Sequence, residues 1–132
     1  MTFNRKMTVR MYDTDAAGIL YFANQFRFIH DTFEEWITSH GWGFDRLFDD
    51  SPYTFVIVHA ESDYLHSITV GDVLDIQLSV DRIGDTSFTM KYDLFKGDIK
   101  VGLVKTVHVV LDKKTKQKCS IPDELKNAFG VH

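Results

Sequence analysis

Asp13-Thr14-Asp15-Ala16-Ala17-Gly18-Ile19-Leu20-Tyr21-Phe22-Ala23-Asn24 sets two carboxylates and a glycine suited to close approach immediately ahead of an amphipathic run. From about Ile19 to His40 the apolar positions Phe22, Phe26, Ile29, Phe33, Trp36 and Ile37 recur at helical steps, while Gln25, Arg27, Asp31, Glu34 and Glu35 lie on the other face. That spacing predicts one long amphipathic helix, ended near Gly41. A helix start offers unpaired backbone N–H groups and a partial positive charge, so an acyl oxygen turning negative beside a carboxylate would be stabilised there. On local chemistry alone, an Asp between Thr and Ala serves more often as a cap or an Asx-turn than as a reactive group.

Upstream, residues 7–12, Met-Thr-Val-Arg-Met-Tyr, alternate in character and predict a first strand. Downstream, a short helical segment around Phe44 to Phe48 leads into a loop at Asp49-Asp50-Ser51-Pro52. Everything afterwards reads as β structure. Phe55 to Val58 opens one strand, and Val73 to Asp81 gives another, with Leu74, Ile76, Leu78 and Val80 alternating against Asp75, Gln77, Ser79 and Asp81. Turns at Ile83-Gly84-Asp85-Thr86 and Lys96-Gly97-Asp98 separate the strands Phe88 to Leu94 and Ile99 to Leu111. The last of these is apolar on both faces, which places it centrally in a sheet or at an interface. Strand, long helix, then four strands in hairpin succession describe an α+β domain spanning residues 1–132. The sheet would curl around the helix, and a partner subunit would cover its other face.

Composition narrows the function. The net charge of −4 comes without a basic stripe, so nucleic acid is not expected as a partner. Lys113-Lys114-Thr115-Lys116-Gln117-Lys118 reads as a solvated turn in preference to a phosphate site. A single cysteine, Cys119, excludes an intramolecular disulfide and a cysteine-rich zinc centre and suits a reducing cytoplasm. No apolar stretch approaches the ~20 residues that span a bilayer, and no signal-peptide core follows Thr2 to Lys6, so no membrane association is expected. His59, His66 and His108 lack the spacing of a metal site, and no metal is expected. Ser62 and Ser67 lie near histidines, but without a Gly-x-Ser-x-Gly elbow they do not make a serine hydrolase.

The motif and the order of elements together resemble the hotdog-fold thioesterases, in particular the 4-hydroxybenzoyl-CoA thioesterase-like group. The resemblance runs from Met7 to about Phe129, is strongest over Asp13 to Asn24, and returns more weakly at Asp63-Tyr64-Leu65 and Gly71-Asp72-Val73-Leu74. It implies an antiparallel sheet wrapped around one long central helix. It also implies that Asp15 is the catalytic carboxylate, as nucleophile through a mixed anhydride or as general base on water. The backbone N–H of Phe22 becomes the oxyanion donor in the first helical turn, and Gly18, Tyr21 and Asn24 fall where they would line the substrate pocket. Asp13 reads as a turn or capping residue. His30 falls where some aryl-CoA members place a polar group against a ring hydroxyl, and histidine there resembles the 1,4-dihydroxy-2-naphthoyl-CoA hydrolases. By periodicity, a histidine hydrogen-bonded at the edge of the core fits His30 equally well.

One departure concerns the carrier. Some members place a basic cluster just before the Ser-Phe that matches Ser87-Phe88, and here those positions are Gly84, Asp85 and Thr86. Nucleotide phosphates are then left to Arg82, Lys91 or the lysines at 113–118, or the carrier is an acyl carrier protein. The implied activity is hydrolysis of an acyl-CoA to free acid and CoA without a cofactor, in a homodimer at least and a homotetramer by family analogy. Two alternatives stand beside it: release of polyketide or fatty chains from an acyl carrier protein, and a non-catalytic hotdog subunit that binds acyl thioesters. The intact Asp15 counts against the last.

Overall fold

The computed structural model describes residues 2–43 and 51–130. Strict alternation makes the centre of its sheet: Leu74, Ile76 and Leu78 of β3 (Val73–Ile83) and Phe88, Met90, Tyr92 and Leu94 of β4 (Ser87–Lys96) all point inward and are buried. Onto this face packs α1 (Asn24–Ser39), which contributes Phe28, Ile29, Phe33, Trp36 and Ile37 to the same core. Truncating one of these fully buried leucines to alanine costs about 2–5 kcal/mol in comparable cores. The sheet is completed by β1 (Thr2–Thr8), β2 (Tyr53–Tyr64) and β5 (Ile99–Asp112), all antiparallel, in the order β1-β3-β4-β5-β2. A short helix, α2 (Asp123–Ala128), which periodicity does not announce, closes one end with Leu125 and Phe129 in the core.

The β3–β4 and β4–β5 hairpins fall at the expected turns, and β5 is internal, between β4 and β2. Hairpin succession fails at β2, which pairs with β5 at the far edge instead of with β3. The chain between β2 and β3 is occupied otherwise. Leu65 N–H donates to Val101 O at 2.9 Å, Ile68 O accepts from Leu20 N–H at 2.8 Å, and Asp72 O accepts from Val9 N–H at 2.9 Å. This crossover therefore runs from the β5 side of the sheet, over the loop ahead of α1, to the end of β1.

Three other expectations change. The first strand lies at Thr2–Thr8, and Met11–Asp13 forms a 3-10 turn because the Asp13 carboxylate accepts from Arg10 N–H at 2.8 Å and folds the chain back. The helix starts at Asn24, five residues later than its apolar spacing indicates, and Gln25, assigned to the polar face, is fully buried. The outer sheet face is mixed, with ion pairs among Lys91, Lys100, Asp93, Lys105 and Asp81 beside the outward Leu103, Val107 and Leu111 of β5. Exposed apolar side chains gather on edge strand β2, at Val56, Ile57 and Val58. The segment Phe44 to Asp50 lies outside the described residues.

Candidate active site

Asp13 organises the loop ahead of α1. Its buried carboxylate accepts from Arg10 N–H and pairs with Arg27 on the helix, while its carbonyl accepts from Tyr21 N–H at 3.0 Å and Asn24 Nδ2 at 2.9 Å. The loop is thereby closed across residues 13–21. Inside it, Asp15 N–H donates to Ile19 O at 2.9 Å and Gly18 N–H to Asp15 O at 3.0 Å, a tight turn with Thr14 bridged to Leu20. Gly18 sits at φ +76°, and a Cβ built there would meet nothing within 4 Å. Within the chain its requirement is thus left-handed backbone, where a Cβ is strained, and not the relief of crowding.

The Asx-turn reading of Asp15 is realised: Oδ1 accepts from Ala17 N–H at 2.8 Å and from Ile19 N–H at 3.4 Å. Oδ2 has no partner among the described residues, and the side chain is exposed. The backbone accounting of this stretch is equally informative. Between Asp13 and Phe26, among the described residues, acceptors are found for every N–H except those of Ala16, Phe22 and Ala23. Ala16 is at the outer corner of the turn. Phe22 and Ala23 form the approach to α1, whose N-cap, Ala23, has no side chain able to cap. Phe22 therefore precedes the first helical turn by two residues and still leaves its amide open.

Phe22 and Tyr21 are exposed, with ring centroids 5.0 Å apart. The Phe22 ring faces a cleft of about 390 Å³ between the loop (Ile19, Leu20) and the crossover (Leu65, Ile68), with Tyr64 at the end of β2 beside it. Asn24 is turned from this cleft by its bond to the Asp13 carbonyl and by Arg27 Nε, 3.5 Å from its Oδ1. His30 is exposed six residues farther along α1, about 9 Å up the axis. Among the described residues no hydrogen bond or ring contact joins it to the loop. Asp15, Gly18, Tyr21, Phe22 and Asn24 thus belong to one loop and helix start, and His30 stands apart.

Several site neighbours escape the sequence pattern. Gln25 reaches across to β2, donating from Nε2 to Ser62 Oγ at 2.8 Å and to Asp63 O at 3.1 Å. It does so over Gly102, where a Cβ would lie 2.8 Å from that nitrogen. Tyr64 donates its hydroxyl to the Phe22 carbonyl at 2.6 Å. Deeper in, His108 is stacked between Phe33 and Phe88, with Nε2 2.9 Å from Thr106 Oγ1. Burial, reinforced by the positive charge available to His30, pushes its pKa down to about 4, so the ring is neutral at physiological pH. Burial likewise raises the Tyr92 phenol, against a hydrogen bond with Thr106. Among the basic residues, the turn at Lys113 to Lys116 is built by Asp112, whose exposed carboxylate accepts from Thr115 and Lys114 N–H and is held below its usual range. Among the described residues no three His, Cys, Asp or Glu side chains gather as a metal site, and no helix is long and apolar enough to cross a membrane.

A sheet wrapped on one long helix agrees with what comparison with known proteins finds. Residues 9–129 match the family described as the thioesterase-like superfamily. The chain belongs to that superfamily. A 1,4-dihydroxy-2-naphthoyl-CoA hydrolase of Nostoc punctiforme is 36% identical over 125 residues, which cover 95% of this chain and 84% of that protein. The hydrolase of the same name from Picosynechococcus is 32% identical, over 92% of this chain and 88% of its own. Among solved structures, a 1,4-dihydroxy-2-naphthoyl-CoA thioesterase from Synechocystis superposes with a TM-score of 0.90 over 98% of this chain and 96% of that one. At 23% identity that match shows the fold, which is the hotdog fold. This member of the superfamily is an enzyme that hydrolyses thioesters.

Proposed function

We propose that this thioesterase hydrolyses an aromatic acyl-CoA, of the 1,4-dihydroxy-2-naphthoyl type, with Asp15 as the catalytic carboxylate and the Phe22 amide as oxyanion donor. The observation that carries the mechanism is the accounting of the loop. Of its polar groups, the Asp15 Oδ2 and the Ala16, Phe22 and Ala23 amides are left open among the described residues, and of these residues Phe22 lines the apolar cleft. The substrate class is supported by the names of relatives matched over most of both lengths.

In the base route, Asp15 takes a proton from water, the oxygen adds to the thioester carbonyl, and the carbonyl oxygen carries the charge toward the open amides. Collapse breaks the C–S bond, and the thiolate takes the proton that Asp15 removed from water, so CoA leaves as the thiol and the carboxylate is restored. In the nucleophilic route, Asp15 itself adds, the thiolate leaves, and water hydrolyses the resulting mixed anhydride. Both require the carboxylate to be ionised. His30, exposed on α1, is the polar group for a ring hydroxyl, and because it stands apart from the loop it serves a site completed by a second chain. The reaction belongs in the cytoplasm, where CoA thioesters are made and the free Cys119 stays reduced.

The assembly is a homodimer at least. Its support is β2, a strand of twelve residues at the edge of the sheet with Val56, Ile57 and Val58 exposed in succession, a ready template for a second copy. Thiol release from benzoyl-, 4-hydroxybenzoyl-, 1,4-dihydroxy-2-naphthoyl- and aliphatic CoA esters tests the reading. Preference for the naphthoyl ester, with a loss of ~100-fold or more in kcat for Asp15→Asn, is expected. Near-native turnover by that variant would sink the mechanism, and preference for an aliphatic ester would sink the substrate.

A further inference from the structure

The hydrogen bond between Tyr64 and Phe22 joins residues 42 positions apart, and the carbonyl it serves has no need of it for solvation. Both partners are exposed, so water would satisfy the Phe22 carbonyl equally well. The difference lies in geometry. The local bond to that carbonyl, from Gln25 N–H, is long at 3.4 Å, whereas the Tyr64 hydroxyl approaches to 2.6 Å. Tyr64 therefore sets the plane of the Phe22–Ala23 peptide, which carries the Ala23 N–H. The adjoining peptide carries the Phe22 N–H, and its carbonyl, Tyr21 O, is held by Asn24 N–H at 2.9 Å. A hydrogen bond on a peptide carbonyl also polarises the N–H of the same unit.

The geometry points to Tyr64 as a positioning residue of thioester hydrolysis, holding the turn that presents the Phe22 and Ala23 amides to the reacting carbonyl. This rests on the reading of that turn as the oxyanion site. Tyr64 is itself well anchored. It is the last residue of β2, in register with Gly102 of β5, and the two residues before it are tied to α1 by the buried amide of Gln25. The sheet edge is thus locked to the helix start twice, once inside through Gln25 and once at the cleft through Tyr64. The phenol ring is rigid and lines the same cleft as Phe22, so its position is transmitted to the turn without intervening flexible bonds.

Tyr64→Phe keeps the ring and removes only the hydroxyl. With benzoyl-CoA and 4-hydroxybenzoyl-CoA as probes, kcat is expected to fall roughly 10-fold or more, short of the ~100- to 1,000-fold lost with an oxyanion donor itself, while KM stays within about twofold. Thermal unfolding and dimer mass are measured on the same samples and are expected to match the native protein. Unchanged kcat, or a rise in KM alone, would overturn the inference, and so would loss of the fold, which would make the bond structural. Asp15→Asn, assayed in parallel, separates the two readings: an inactive Asp15→Asn beside a fully active Tyr64→Phe removes Tyr64 only. An active Asp15→Asn removes the site and Tyr64 with it.

Discussion

Lowering the pH should destabilise this protein through His108. Its ring lies between Phe33 and Phe88, centroids 4.8 Å away on each side and planes inclined by 19° and 4°, with Phe55 edge-on at 6.1 Å. Burial first, and the charge of His30 second, lower its pKa from 6.5 to about 4. As pH falls below 6.5 the unfolded chain takes up a proton that the folded chain refuses until about pH 4, so stability present at neutral pH is lost across that interval. The full gap is worth about 3 kcal/mol, of which about 2 kcal/mol is gone by pH 5.

His108→Phe occupies the same slot with a ring that cannot titrate. Its packing cost is independent of pH and cancels when each protein is compared with itself at two pH values. Urea unfolding of both proteins at pH 7.5 and pH 5.0, at one protein concentration, is the assay, because the stability of any assembly depends on concentration. The native protein is expected to lose about 2 kcal/mol more than the variant on going to the lower pH. Equal losses would refute the reasoning, since carboxylates titrating elsewhere are common to both.

Gly102→Ala puts a Cβ 2.8 Å from the buried Gln25 amide and should cost about 1–3 kcal/mol by urea unfolding. On a Gln25→Ala background the same change should cost under about 0.5 kcal/mol, and an undiminished cost there would refute the contact. Gly18→Ala forces a side chain into φ +76° and should destabilise by about 1–2 kcal/mol with no clash to relieve, so no second-site truncation restores it.

What could be read from the sequence, and what could not, divides by the range of the interaction. β3 and β4 and the two turns beside β4 were legible because one buried face leaves a period of two in adjacent residues. Gln25, Asp13 and His108 were not, since each is buried on account of a partner that local pattern does not register. For Gln25 the partner is Ser62, 37 residues away, across a glycine that alone leaves room for the amide. For Asp13 it is Arg27 on the helix, and for His108 an aromatic slot assembled from α1, β2 and β4. The hairpin expected after β2 failed for the same reason, because the crossover's hydrogen bonds to Val101, Leu20 and Val9 are all long-range. The site loop itself was the most legible part, since its turn chemistry is local. Beside the burial of Asp13, the delay of the helix to Asn24 was hidden, as Phe22 continues the apolar spacing while standing in the cleft.

The Asx-turn and the catalytic reading of Asp15 compete in sequence but not in space. Oδ1 is spent on Ala17 and Ile19, which fixes the carboxylate's orientation, and Oδ2 is left open for the catalytic role proposed above. A reactive group held by its own turn loses little freedom on binding, which favours catalysis. The arrangement also dictates which variant is informative. Asparagine keeps an oxygen for the two turn amides and removes the charge, whereas alanine removes both, at a cost near the ~1 kcal/mol of a lost cap. Asp15→Asn should therefore unfold with the native midpoint and lose ~100-fold or more in kcat, and Asp15→Ala should lose at least as much activity and be less stable. If instead both variants lose stability equally, the turn does not depend on Oδ1, and the claim that the loop orients its own carboxylate falls.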